Sequence, residues 1–302
     1  MADSTTYEPR LVDAFIPDGS TSSLRVFPPF LNDATPASSA DAEKPLIVIW
    51  PGFGMGARYY DPIARELAER GYPVATAELR GQGSSTAVAS KDKSWGYHHL
   101  ASEDYPASIR AAKKGLGLSE QHPTVLLCHS MGGQIAALFM ARPEAELLNV
   151  RGVMGVGAGT PFYKGFSGRT QLRLRYGTWL LRPSLKLRGY QADGKLDMLG
   201  YGRQAKDHIE EWHRYGQTNR LDNLAGQDMD YEERRKKITA PILLTRCIND
   251  EDCPMASAAN LAVSLPAADV AVEEFSAPLG HNRWAREPQV VSDRLEEFIA
   301  AL

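Results

Sequence analysis

Val125-Leu126-Leu127-Cys128-His129-Ser130-Met131-Gly132-Gly133-Gln134 is the stretch whose reading decides the fold. An aliphatic run ends in a short polar knot, and a segment rich in Ala and Leu begins on the far side. Read as strand, sharp turn and helix, it puts one hydroxyl, that of Ser130, at the tip of the turn. Free backbone N–H groups at the start of the following helix can face an anion there.

Working outward, the chain repeats the same alternation. Residues 10–16 and 23–27 read as a hairpin around Pro17-Asp18-Gly19-Ser20, and 31–45, rich in Ala, Ser, Asp and Pro, as an exposed loop. Leu46-Ile47-Val48-Ile49-Trp50 is a continuous apolar run, as expected of a parallel strand covered by helices on both faces. Residues 58–70 carry Ile63, Ala64, Leu67 and Ala68 on one helical face, with Gly71 as the stop. A strand at 73–79 and the turn Arg80-Gly81-Gln82-Gly83-Ser84-Ser85 follow. Ser102-Glu103-Asp104 reads as the cap and acidic first turn of a helix to about Lys114. Downstream come strands at 153–159, 241–247 and 268–275, and helices near 255–265 and 288–301. The pattern predicts an α/β fold with a mostly parallel sheet and no internal repeat.

The alternation stops between 161 and 238. That segment is aromatic and rich in Arg, with 16 Lys/Arg against 10 Asp/Glu in a chain whose net charge is −3. It reads as an inserted lid, with residues 1–160 and 239–302 forming the core. Within it, 169–188 holds Arg169, Arg173, Arg175, Arg182, Lys186 and Arg188 with no acid, interleaved with Leu172, Leu174, Tyr176, Trp179, Leu180, Leu181, Leu185 and Leu187. Such a segment packs apolar side chains over a site and solvates its charges; attraction to an anionic substrate or lipid surface is the minority reading.

A serine hydroxyl is a poor nucleophile until a base takes its proton, and the base works best when a carboxylate holds its tautomer. Asn249-Asp250-Glu251-Asp252 follows one downstream strand and Gly280-His281-Asn282 the last one. The order Ser, Asp, His is that of the triad in α/β-hydrolases. Both Asp250 and Asp252 are within reach of the acid's place.

His129-Ser130-Met131-Gly132-Gly133, Pro51-Gly52-Phe53-Gly54 with Tyr59-Tyr60-Asp61-Pro62-Ile63-Ala64 behind it, and Arg80-Gly81-Gln82-Gly83-Ser84 resemble the serine-hydrolase branch of the α/β-hydrolase superfamily that includes monoacylglycerol-lipase-like enzymes. Gly189-Tyr190, Leu199-Gly200 and Glu211-Trp212 are further similar to a bacterial subgroup of hydrolases. The resemblance implies Ser130 as nucleophile, His281 as general base and Asp250 as orienting acid, the last supported by Pro254 four positions on. It also implies the backbone N–H groups of Phe53 and Met131 as oxyanion donors. Three departures stand out. Cys128 occupies the usual first Gly of the elbow, Pro51 the usual His before Gly52, and Cys247 a frequent Gly before the acid loop.

The function this implies is cleavage of a carboxylic ester of a small or lipid-like substrate through an acyl-enzyme, with no cofactor. An acyltransferase or thioesterase would use the same triad; a non-catalytic ligand-binding hydrolase fold is the rival from another class. Apolar residues at 43% and charged residues at 24% describe an ordinary globular chain, and its charge gives no general attraction to nucleic acid. No run of about 18 apolar residues occurs and the first ten residues lack a secretory pattern, so a cytoplasmic protein without stable membrane insertion is expected. Cys128, Cys247 and Cys253 have no paired metal-ligand spacing and read as reduced thiols. His208 and His213, spaced i, i+5, fit no helical metal face and read as part of a solvated helix. His98-His99 reads as loop.

Overall fold

The computed structural model describes residues 8–30, 44–177, 179, 182–197 and 200–302. The loop expected at 31–45 lies almost wholly outside the described residues, as do Leu180, Leu181 and Leu199.

The N-terminal hairpin forms as β1 (Arg10–Phe15) and β2 (Thr21–Phe27), with Arg10 opposite Val26. The alternating part follows: β3 (Leu46–Trp50), α1 (Asp61–Glu69), β4 (Val74–Thr76), α2 (Tyr97–His99), α3 (Tyr105–Gly115), β5 (Thr124–His129), α4 (Met131–Phe139), α5 (Pro143–Leu147) and β6 (Val150–Val156). Segment 161–238 then carries α6 (Gly168–Tyr176), α7 (Arg182–Arg188), a two-residue bridge of β7 (Tyr190–Gln191) with β8 (Gln204–Ala205), α8 (Lys206–Thr218) and α9 (Tyr231–Arg235). The chain returns through β9 (Ile242–Cys247), α10 (Met255–Val263), β10 (Val270–Phe275) and α11 (Gln289–Ala300).

Eight strands form one sheet in the order β1-β2-β4-β3-β5-β6-β9-β10. From β4 to β10 every neighbour is parallel; β2 joins β4 antiparallel and brings the hairpin to the edge. Every residue of β3 and β5 is buried. Because side chains alternate along a strand, Ile47, Ile49, Val125 and Leu127 pack with Ile63 and Leu67 of α1 and Leu295 of α11. Val48, Trp50, Leu126 and Cys128 pack on the other face with Ile109 of α3, Ile135 of α4 and Leu261 of α10. This is the two-sided covering that the uninterrupted apolar runs demanded. In such sheets ligands bind beyond the carboxyl ends of the strands.

Several local expectations are corrected. The helical path does not start at Ser102. It starts at Tyr97, where His98 and His99 are helical, and runs through a π-helical turn, Leu100–Asp104, into α3. Asp104 is buried instead of capping, because it meets a buried cation: Arg80 donates to Asp104 Oδ2 from Nε at 3.1 Å and from Nη2 at 2.6 Å. Glu103 accepts from Arg80 Nη2 at 2.5 Å and Asp18 from Nη1 at 3.2 Å. Extended pairing of the strand expected at 73–79 ends at Thr76, and that expected at 153–159 covers Val150–Val156, leaving 157–159 as a turn. Within segment 161–238 the extended structure among the described residues is the two-residue β7–β8 bridge. Cys128, Cys247 and Cys253 are buried and free. Among the described residues, no helix is long and apolar enough to cross a membrane.

Breaking a buried ion pair by removing one partner is expensive because the other charge stays behind. Asp104→Ala, which leaves Arg80 with only Glu103 and Asp18, is expected to lower unfolding free energy by roughly 3 kcal/mol in urea titration.

Candidate active site

Five strand ends supply the loops that meet above the sheet. Ser130 stands between β5 and α4 with φ 51° and ψ −117°, a conformation that costs a non-glycine residue about 1–3 kcal/mol. Backbone bonds hold it there: its N–H donates to Val156 O at 3.0 Å, and its carbonyl accepts from Gly133 N at 3.0 Å. The turn after β3 comes so close that a Cβ on Gly52 would sit 2.9 Å from His129 Nδ1 and 3.3 Å from Ser130 Cβ. Only glycine fits that approach.

Asp250, in the turn after β9, is 2% exposed. Its carboxylate accepts from the backbone N–H groups of Asp252 and Cys253 at 3.0 and 2.9 Å. The His281 Nδ1, from the loop after β10, lies 3.0 and 2.9 Å from the two Asp250 oxygens. Asp252 points elsewhere: its side chain is 56% exposed and lies 3.6 Å from Arg173. Of the two acids the sequence left open, the structure brings Asp250 to His281. Gly157, with φ 61°, lies beneath this pair, where an added Cβ would stand 2.9 Å from the His281 ring.

Ser130 and His281 line one cavity of about 530 Å³. No hydrogen bond joins the Ser130 hydroxyl to the His281 ring among the described residues; such contacts are often long in a free enzyme and tighten with substrate. The Phe53 and Met131 N–H groups, on the wall beside Ser130, are engaged by no other described residue. The Met131 N–H belongs to the first turn of α4, whose amides have no partner within the helix. The remaining wall comes largely from Phe166, Thr170, Arg173, Leu174, Tyr201 and Trp212 of segment 161–238. Cys128, the departure at the elbow, is fully buried, and its register neighbour on β6 is Gly155.

A family model described as serine aminopeptidase, S33 (Hydrolase_4) matches residues 41–281. The chain belongs to this Hydrolase_4 family. Solved structures agree on the fold. DcsB, solved in complex with its substrate analogue, is 16% identical with a TM-score of 0.62, covering 97% of this chain and 99% of that one. The esterase EaEST from Exiguobacterium antarcticum is 18% identical with a TM-score of 0.56, covering 95% and 98%. The esterase RhEst1 from Rhodococcus sp. ECU1013 is 17% identical with a TM-score of 0.55, covering 97% and 99%. No curated protein matches the sequence. The architecture is thus that of the α/β-hydrolases, as the elbow and its neighbouring motifs implied.

Not every residue at this Hydrolase_4 site was visible in the sequence. His208, read as part of a solvated helix, is fully buried: its Nε2 lies 3.1 Å from Met131 Sδ, and its ring is 5.1 Å from that of Phe53. Burial pushes its pKa down to about 4. Glu211 is also buried and accepts from the backbone N–H groups of Tyr97 and Ala225 at 2.7 and 2.6 Å, fastening α8 to the start of α2. Burial raises its pKa to about 7. The signal was present: His208, Glu211, Trp212 and Tyr215 recur at i, i+3, i+4 and i+7, one helical face.

The folded pKa of His208, near 4, lies below the ordinary histidine value of 6.5, so as pH falls the unfolded chain takes the proton first. Its contribution is complete above pH 6.5 and is lost between 6.5 and 4. The expected loss is on the order of 3 kcal/mol over the full window. Urea denaturation at pH 7 and pH 5 should show a smaller difference for His208→Phe than for wild type.

Proposed function

We propose that the protein is a carboxylic ester hydrolase acting through an acyl-enzyme on Ser130. The observation that carries this reading is the Asp250–His281 pair, bonded at 2.9 Å, opening onto the same cavity as a serine held at positive φ. On this reading His281 takes the Ser130 proton as the hydroxyl attacks the ester carbonyl, and the buried Asp250 holds the imidazole with its acceptor nitrogen outward. The developing oxyanion meets the Phe53 and Met131 N–H groups; losing one such donor typically costs on the order of 100-fold or more in rate. His281 returns the proton to the leaving alcohol, and water, activated by the same imidazole, releases the acid.

Cavity size and lining support a small or medium ester. A volume of about 530 Å³ is within the usual range for small-molecule sites, and Phe53, Met131, Phe166, Leu174 and Trp212 give it apolar walls. The family takes its description from a serine aminopeptidase, and aminopeptidase substrates present an ammonium group. Among the described residues that line the cavity, the carboxylate is that of Asp252, and Arg173 already faces it. An ester without a free amine suits these walls better. Segment 161–238 acts as a lid that shields the acyl-enzyme and selects the substrate, which its share of the cavity wall supports.

A graded panel of acyl esters tests the proposal. Wild type should turn over at least one chain length, and Ser130→Ala should lose roughly 10⁴-fold or more of kcat. Asp250→Asn should lose on the order of 10⁴-fold, as wrong-tautomer variants do, while Asp252→Asn should stay within about tenfold. Equal turnover by Ser130→Ala would sink the mechanism; a larger loss at Asp252 than at Asp250 would reassign the acid.

A further inference from the structure

The pair Tyr59-Tyr60 was singled out by the sequence motif, yet neither residue takes part in the proposed chemistry. Both are tied to the site's loops. The Tyr60 hydroxyl, fully buried at the start of α1, accepts from Gly52 N at 3.0 Å and lies 2.7 Å from His129 Nδ1. His129 Nε2 lies 3.0 Å from the backbone oxygen of His281, which also accepts from Trp284 Nε1 at 2.9 Å. The Tyr59 hydroxyl donates to Asn282 O at 3.1 Å. One chain of bonds therefore runs from the Phe53 turn, through Tyr60 and His129, to the loop that carries His281.

Donor counting leaves one arrangement. Gly52 N–H only donates, so the Tyr60 oxygen accepts there. The His281 carbonyl only accepts, so the proton of His129 belongs on Nε2; the other tautomer would set a lone pair against the carbonyl at 3.0 Å. His129 Nδ1 is then an acceptor and takes the single Tyr60 hydroxyl proton, in preference to the weaker Met55 sulfur at 3.4 Å. Every member is satisfied, and the direction of each bond is fixed. Burial, with His281 close by, holds the His129 pKa well below its ordinary value and keeps the ring neutral.

We infer that Tyr60 and His129 are positioning residues that fix the Phe53 oxyanion turn, the Ser130 elbow and the His281 loop relative to one another. The inference rests on the ester-hydrolase reading of this site. It also accounts for Pro51: the residue before Gly52 brings neither a side-chain donor nor an N–H, and the turn is held from below through Gly52 and Tyr60. His129 adjoins Ser130 in the chain, so its ring reaches from the nucleophile's own backbone to the base's. Misplacing reacting groups by about 1 Å can cost about 100-fold in rate.

Three variants and one spectrum test this. Tyr60→Phe keeps the ring and removes the hydroxyl; His129→Gln keeps a donor for the His281 carbonyl; His129→Leu removes it. Expected are a fall in kcat of about tenfold for Tyr60→Phe and about 100-fold for His129→Leu, with KM within threefold, and recovery to within about tenfold of wild type for His129→Gln. The rate of fluorophosphonate labelling should fall in parallel, while thermal unfolding shows each variant folded. Unchanged kcat in Tyr60→Phe, or equal loss in His129→Gln and His129→Leu, overturns the inference; should His129→Leu fail to fold, Tyr60→Phe decides it. Nitrogen-15 histidine spectra of wild type at pH 7 should show His129 as the neutral Nε2–H tautomer, and an Nδ1–H tautomer overturns the network without reference to activity. A wild type that turns over no ester and resists the probe fails the hydrolase reading instead, and the spectrum still decides the network.

Discussion

The backbone of Ser130 is held where a side chain other than glycine pays a conformational penalty, and the surrounding fold is arranged to sustain it. The bond from Ser130 N to Val156 O requires β5 and β6 to end in register, and that register runs unbroken from Val125 opposite Gly152 to His129 opposite Val156. The Gly133 bond to Ser130 O starts α4 directly from the strained residue. The neighbouring turn must then pass close enough that Gly52 has no room for a methyl group. A strained residue survives only where its neighbours over-determine it, and here two parallel strands, a helix start and a crossing turn all do so.

That over-determination explains why the elbow was readable in the sequence. Long apolar runs such as Leu46–Trp50 have few alternatives, and a turn with Gly at two adjacent positions after a serine has fewer. The failures came where a polar residue had two physically sound uses. Ser102-Glu103-Asp104 has the composition of a helix cap, but the decisive partner, Arg80, lies 24 positions before Asp104 in the chain and is brought there by the end of β4. His208 was discounted because its spacing to His213 fits no metal site. The informative spacing was to Glu211, Trp212 and Tyr215 on the buried face. Asp250 and Asp252 differ by two positions, and only the bend at the end of β9 turns one inward and the other toward Arg173.

The charge excess of segment 161–238 is largely separate from the cavity it helps to wall. Its inward side chains include Phe166, Thr170, Leu174, Tyr201 and Trp212, while Arg173 reaches the rim and meets Asp252. Elsewhere some of the cations lie over exposed aromatic rings, Arg182 above Trp179 at 4.2 Å and Arg175 above Tyr176 at 5.1 Å. These contacts let long charged side chains cover exposed aromatic surface without desolvating the charge. On the proposed reading, charge at the rim and apolar walls within favour a substrate whose reacting end is uncharged.

Phe53 is where the two halves of this construction meet. From the sheet side, its turn is held through Gly52, Tyr60 and His129. From the other side its ring stacks on Tyr201 at 4.5 Å and contacts His208 and Trp212 at 5.1 and 6.0 Å, all three from segment 161–238. The backbone N–H between these two grips has the direction that both allow. Met131, the other proposed donor, is touched by His208 on the same helix, α8. Glu211, one turn further along α8, ties that helix to the Tyr97 amide. A movement of α8 would therefore shift contacts at both proposed oxyanion donors together, so the segment that shapes the cavity also sets the alignment of the groups that would stabilise the charge.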